Sequence, residues 1–468
     1  MPANNRSAHP FYIIAGTMVC LLGLSVVSKN FSVKGLSIRQ VDMLADIRRT
    51  IPNPAAPSAP LTPVANKAAT PADTPAAVDA PVSGRRHRTY DYMTYTGIQE
   101  YQDSTGMSKG LFHFLTALED LKTRKRKKVR VAYFGDSMIE ADLITGDLRD
   151  SLQAHFGGEG VGFVQITSVV ATWRTSIRHT FSEDWTDYHF KHKPPENTLL
   201  GICGHAFVPT PESWVKYSPV QKPGLNRFNE VGLLYGPAAG SNLLINDKPY
   251  TLNGTAAVNE MLLPQSDVQN AVTLKYGGGA TPPALYGLSF ESDSGVFVDN
   301  YSFRGITGLE LAYLSGQMIQ QMQQAHTYDL VVIHYGANVL FRPELTDYNW
   351  YEQSMQKVMD SFGKNWPNTS FLIIGTADKG YMKDDHFVTA PGVRPLLKAQ
   401  HELAEDNGTA YWNLFAAMGG DGSMARWVQE DPAYGKKDHT HFTTYGARRV
   451  GGLLYKAIMD EFSEEVHP

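Results

Sequence analysis

The stretch VRVAYFGDSM, residues 129–138, runs β-branched and aromatic residues into a glycine, an aspartate and a serine. The run over 129–134 predicts a short buried strand that ends at Gly135. Beyond it, Leu143, Leu148, Leu152 and Phe156 recur at helical spacing, so a helix is expected over Ala141–Phe156. A strand feeding directly into a helix is the opening of an α/β unit. Ser137 then falls at the strand's carboxyl end, where open α/β sheets place their sites. Its hydroxyl would face a helix N-terminus, whose free N–H groups favour developing negative charge.

Working outward, the same alternation returns four times. Val296–Phe303 precedes a helix at Leu309–Ala325, and Asp329–Tyr335 precedes one near Trp350–Phe362. Ser370–Gly375 precedes Val393–Asp406, and Thr409–Leu414 precedes a last helix from Thr444 to Phe462. Such alternation predicts a parallel sheet covered on both faces. Upstream, Leu111, Leu115, Leu118 and Leu121 mark an amphipathic helix leading in. The basic run from Lys122 to Arg130 reads as its solvated end, where cations complement the helix dipole.

Residues 162–295 break this rhythm. Short alternating runs such as Ser241–Ile245 and Ala271–Tyr276 lie between turn formers, among them Asn253-Gly254, Gly277-Gly278-Gly279 and Pro282-Pro283. This predicts a β-rich, sandwich-like insert between the first and second α/β units. Its aromatics Trp173, Trp185, Trp214 and Tyr217 are either core residues or a platform on which sugars stack.

At the far end, Asp438-His439-Thr440-His441 stands just before the last helix. A serine hydroxyl needs a base to become a nucleophile, and histidine titrates near neutrality. An aspartate three residues before His441 can fix the ring's tautomer and steady the imidazolium. His439 competes for the role of base, but a neighbouring position projects elsewhere. Oxyanion donors are sought at two other strand ends. Asn338 in Gly336-Ala337-Asn338 carries a side-chain amide. In Arg304-Gly305-Ile306-Thr307-Gly308 a glycine lets a backbone N–H come close.

The N-terminal part has a different character. Residues 1–10 read as a cytoplasmic tail. The uncharged run over 11–28 approaches the length needed to span a bilayer and lacks an Ala-x-Ala-like cleavage site, so an uncleaved anchor is expected. Residues 29–89 follow as a linker region rich in proline and alanine. The net charge of −5, from 42 Lys plus Arg against 47 Asp plus Glu, argues against a nucleic-acid partner. The two cysteines, Cys20 and Cys203, leave the folded part without an internal disulfide and exclude a cysteine-rich zinc site.

The order of Gly-Asp-Ser, a glycine block, Gly-x-Asn and a C-terminal Asp-x-x-His resembles the SGNH hydrolases, also called GDSL esterases. The resemblance covers roughly residues 128–160 and 296–462. It implies a three-layer, flavodoxin-like α/β fold split into residues 90–161 and 296–468. It also implies Ser137, Asp438 and His441 as catalytic triad. The oxyanion hole would be formed by Ser137, Gly308 and Asn338, with Gly305 the alternative should the glycine block align three residues earlier. The stretch over 135–164 is similar to bacterial peptidoglycan O-acetylesterases, which also carry a β-sandwich insert. Met138 and Ile139 stand where that group often has His-Thr, and the asparagine block lacks the aspartate that follows it in many wider-family members.

The expectation is therefore a serine esterase that removes O-acetyl groups from an envelope polysaccharide through an acetyl-enzyme, with no metal or cofactor. It would be held on inner-membrane lipid and face the periplasm, or be secreted if its leader is cut. An O-acetyltransferase with the same triad and a catalytically idle glycan-binding protein are the alternatives.

Overall fold

The computed structural model describes residues 90–279 and 281–466. The expected tail, anchor and linker lie outside the described residues. Among the described residues no helix is long and apolar enough to cross a membrane.

The centre is a six-stranded sheet of β1 (Ile98–Glu100), β2 (Lys128–Gly135), β3 (Gly295–Ser302), β4 (Leu330–His334), β5 (Ser370–Gly375) and β6 (Ala410–Asn413). Its order is β1-β6-β5-β4-β2-β3. β2 pairs in parallel with both β3 and β4, and the parallel run continues through β5 to β6. The five parallel strands thus follow the flavodoxin-like order, and the winding reverses between β2 and β4. That switch point leaves a crevice at the carboxyl ends of these two strands.

Side-chain alternation on the strands sorts the core into two layers. Val129, Val131 and Tyr133 of β2 join one apolar cluster with Leu330 and Val332 of β4. Ala132 and Phe134 join the other with Val331 and Ile333. Helices α1 (Phe112–Lys122), α2 (Thr145–Phe156) and α6 (Thr444–Val466) cover the first face. The second is covered by α3 (Gly316–Ala325), α4 (Asn349–Asn365) and α5 (Val393–Asp406). Burial of both faces explains why the strands read as continuous apolar runs.

Several expectations need correcting. β1 is antiparallel to β6, and at three residues it is too short to give a periodic signal. The helix expected from Ala141 begins at Thr145, because Ala141, Asp142 and Ile144 hold positive φ angles of 55°, 70° and 63°. Non-glycine residues adopt that region only when their surroundings hold them there. The helix expected over Leu309–Ala325 is a 3-10 turn, Leu309–Tyr313, followed by α3, whose N-cap Ser315 accepts from the Met318 N–H. Asn253-Gly254 ends a strand at a bulge rather than making a turn.

Between α2 and β3 the chain builds two antiparallel sheets. One contains Arg178–Phe181, Trp214–Ser218, Ala238–Ile245, Lys248–Gly254 and Val272–Gly278. The other contains Gly162–Gln165, Thr186–His189, His205–Val208, Glu230–Tyr235, Asn259–Leu263 and Leu285–Glu291. A single apolar cluster takes Val215, Leu243 and Leu274 from the first sheet and Leu233, Leu288 and Phe290 from the second. From the second sheet, Ala206, Leu234 and Tyr286 join the core of the α/β layer instead. One sheet of the insert is therefore shared between two cores. Tyr217 is fully buried and its hydroxyl donates to the Gln165 carbonyl, so for this aromatic the core reading holds.

Candidate active site

β2 ends at Gly135, and the next residues form a tight turn. The Asp136 carboxylate accepts from the Met138 N–H at 2.9 Å, and the Ile139 N–H donates to the Asp136 carbonyl at 3.3 Å. This leaves Ser137 half-buried at the rim of the crevice. The helix N-terminus expected behind it is displaced, because α2 starts at Thr145. The free N–H groups near Ser137 are thus individual ones rather than those of a helix end.

The opposite end of the chain reaches the same rim because α6 packs on α2. At Gly451 of α6 an added Cβ would stand 2.8 Å from the Ile144 carbonyl oxygen. Glycine there permits the approach. Before α6, the turn at Asp438–His441 is stiffened by its own hydrogen bonds. One Asp438 oxygen accepts from the N–H groups of Thr440 and His441, both at 2.9 Å. The other lies 2.8 Å from His441 Nδ1, and His441 Nε2 lies 3.0 Å from Ser137 Oγ. Partial burial alone would raise the Asp438 pKa, but these donors outweigh it and hold the carboxyl below its usual value. Serine, imidazole and carboxylate form one hydrogen-bonded line.

His439 does not join that line. Its φ is 51°, and its ring stacks on Phe387 with centroids 3.4 Å apart. Phe387 belongs to a hairpin, Gly380–Lys383 with His386–Thr389, that sequence reasoning missed because both strands are four residues long. The hairpin braces the turn at Asp438–His441 through the Gly380 N–H, which donates to the His439 carbonyl.

The expected oxyanion residues also converge. Gly308 caps the Leu309–Tyr313 turn at a φ of 95°, and a Cβ there would come 2.6 Å from the Tyr335 ring. Only glycine fits both demands. Among the described residues neither the Ser137 N–H nor the Gly308 N–H has a protein acceptor. Asn338 is in place, but its amide nitrogen already donates to Asp136 at 2.8 Å and to the Ile306 carbonyl at 3.0 Å. Gly305 has a φ of 71°, and a Cβ there would stand 3.1 Å from Lys191 Nζ, on the side of the insert.

Three further residues line or brace this region: Asp136 of the Gly-Asp-Ser motif, given no role from the sequence, and Lys379 and Glu140, which no motif marked. Asp136 is fully buried, which pushes its carboxyl up to about 6 against the lowering effect of its donors. Lys379 donates to the carbonyls of Ala337 and Leu340 and so fixes the loop around Asn338; burial lowers its pKa. Glu140 pairs with Arg304 across the crevice. A cleft of about 420 Å³ opens beside Ser137 and His441, lined also by Glu140, Trp173, Arg304 and Lys436.

No family model matches this chain, and no curated protein matches it significantly. Among solved structures it is similar to a peptidoglycan O-acetylesterase at a TM-score of 0.63 and 20% identity, covering 78% of this chain and 99% of the other. The likeness is one of fold, and the α/β architecture expected from the sequence is shared with that structure. A family two carbohydrate esterase from Cellvibrio japonicus also aligns, at 10% identity, covering 62% of this chain and 99% of that one. Its TM-score of 0.25 is too low to carry an argument.

Proposed function

We propose that this chain is a serine esterase that removes O-acetyl groups from a cell-envelope glycan, with Ser137 as nucleophile, His441 as base and Asp438 as its orienting acid. The observation that carries the reading is the unbroken Ser137–His441–Asp438 line, with steps of 3.0 and 2.8 Å, at the switch point of a doubly wound sheet. The shared fold with a peptidoglycan O-acetylesterase favours an acetylated glycan as substrate.

In this reading Ser137 Oγ attacks the acetyl carbonyl while its proton passes to His441 Nε2. The carbonyl oxygen becomes an oxyanion facing the N–H groups of Ser137 and Gly308. Asn338 adds its amide by exchanging one of its two present acceptors. Collapse of the intermediate breaks the ester bond, and the imidazolium returns the proton to the departing sugar oxygen. An acetyl group then remains on Ser137. His441 takes a proton from water, the hydroxide attacks, and acetate leaves as Ser137 regains its hydrogen. Asp438 keeps the proton on Nδ1 throughout, so that Nε2 stays the reactive nitrogen. We place the enzyme at the envelope, held by the apolar run over 11–28, with the linker letting it reach a polymer.

The test is acetate release from O-acetylated peptidoglycan and hydrolysis of 4-nitrophenyl acetate by the purified chain and by Ser137→Ala. Activity lost in the variant supports the reading. Equal rates in both proteins would overturn it.

A further inference from the structure

One wall of the cleft comes from the insert. Trp173 ends the 3-10 turn Ala171–Trp173, lines the cleft beside Ser137, and is 66% exposed. The Arg304 guanidinium lies 5.9 Å from its ring centroid. Arg304 uses Nε and Nη2 on Glu140, and its Nη1 has no acceptor among the described residues. Lys436, also on the cleft, is exposed and forms no ion pair among the described residues. Its backbone N–H donates to the His441 carbonyl at 2.8 Å, so its position is tied to that of the base.

This wall is held in place before any ligand arrives. Arg174 and Ser176, directly after Trp173, both reach the buried Asp142 carboxylate, at 3.4 and 2.6 Å. Arg149 of α2 meets the same carboxylate at 2.8 Å. The indole is therefore mounted on a buried ionic cluster that also fixes the turn after the nucleophile. A large apolar ring kept in water on so firmly anchored a backbone offers a face for stacking.

We propose that Trp173, Arg304 and Lys436 form a subsite for a carboxylate-bearing sugar of the acetylated glycan. The indole takes the apolar face of the pyranose, and the two cations take its carboxylate. A neutral sugar would need only the ring. The uncommitted Arg304 nitrogen and the unpaired ammonium of Lys436 are what select an anion, because Glu140 and Asp438 on the same cleft already have partners. The subsite deepens the esterase reading and rests on it.

The experiment compares chemically O-acetylated oligogalacturonides carrying free carboxylates with the same oligomers converted to primary amides, and with 4-nitrophenyl acetate. The wild-type kcat/KM is expected to be about tenfold higher on the charged oligomers, the worth of one charge-assisted hydrogen bond. Lys436→Gln should shrink that preference severalfold. Trp173→Ala should lower kcat/KM on both oligomers about tenfold more than on the small ester. Equal turnover of charged and amidated oligomers, or proportional losses on all three substrates, would overturn the subsite.

Calorimetric titration of the full chain with unacetylated oligogalacturonide keeps the two readings apart. If 4-nitrophenyl acetate is not hydrolysed but the charged oligomer binds more tightly than the amidated one, and this is lost in Trp173→Ala, the esterase reading falls and the subsite stands. No difference in binding sinks the subsite whatever the esterase assay gives.

Discussion

Ser137 Oγ lies 3.0 Å from His441 Nε2, although 304 residues separate the two in the chain. The contact depends on the first strand ending at a tight turn and on the last helix packing onto the helix that follows that turn. Among the described residues the only other side-chain partner of either is Asp438, which meets the opposite ring nitrogen and does not compete for the bond. In a serine hydrolase such a pair works as one unit. Ser137→Ala and His441→Ala are each expected to lower kcat on 4-nitrophenyl acetate by about ten-thousandfold or more, and the double variant by little beyond either single one. Steady-state rates on the three proteins check this, and additive losses would contradict the shared step.

Asp438→Asn tests the tautomer. The amide can keep one oxygen toward the N–H groups of Thr440 and His441, so the turn survives. Its nitrogen then faces Nδ1 as a donor, which drives the ring proton to Nε2, where it opposes Ser137. A loss of about a thousandfold to ten-thousandfold in kcat is expected with an unchanged melting temperature. A loss under about tenfold would mean that the ring is oriented by something other than this carboxylate.

Asn338→Ala should lower kcat by about a hundredfold, at the low end for an oxyanion donor, and leave KM nearly unchanged. The low end is expected because the amide is already engaged by Asp136 and the Ile306 carbonyl and must exchange one of them. Asn338→Asp should be worse than alanine, since it sets a second carboxylate against the buried Asp136. Kinetics on a small ester separate the two variants.

The sequence made the scaffold legible wherever a run was long enough to be periodic. Ser370–Gly375 and Val393–Asp406 were read to the residue, because each is bounded by a breaker and buried on a full face. The line of Ser137, His441 and Asp438 was legible for a different reason: a hydroxyl at a strand end, with an imidazole and a carboxylate three residues apart before the last helix, have few other uses together. What stayed hidden was set by contacts between distant segments. Nothing local marks Asp136 as buried, or shows that Asp142 is to meet Arg174 across the boundary with the insert. Ala141–Ile144 has helical composition, and only that tertiary cluster forces it out of the helix.

Asp136 gives a pH prediction of definite sign. Burial raises its native pKa to about 6, above the ordinary 3.8 of an unfolded chain. The native state therefore binds the extra proton between these values, and the group's contribution to stability falls as pH rises through them. The cost of the ionised form at neutral pH is roughly 3 kcal/mol. Asp136→Asn carries no such cost, but its single oxygen can serve only one of the donors Met138 and Asn338. Urea unfolding at pH 4 and pH 7 should show the variant's stability relative to wild type improving toward pH 7, by up to that amount. No trend would mean that Asp136 is ionised without penalty, and the opposite one that folding favours its charge.

The Asp142 cluster is where the insert and the turn after Ser137 are joined, and breaking it should register in both stability and rate. Asp142 and Arg149 are almost wholly buried, and the surrounding guanidinium groups overcome the burial of Asp142 to hold its carboxyl well below the usual range. Asp142→Ala leaves Arg149 as a buried charge without its partner, which costs about 3–5 kcal/mol. It also removes what holds Ala141, Asp142 and Ile144 at positive φ, so the turn behind Ser137 is expected to relax and kcat to fall with the stability. Replacing both members, as Asp142→Leu with Arg149→Met, removes one stranded charge but leaves Arg174 without its carboxylate, so only part of the stability should return. It does not restore the anchor for Arg174 and Ser176, so activity on a glycan should remain low. Chemical denaturation and acetate release on the two variants give both readouts. Recovery of stability and of glycan turnover together would mean that the cluster serves folding alone.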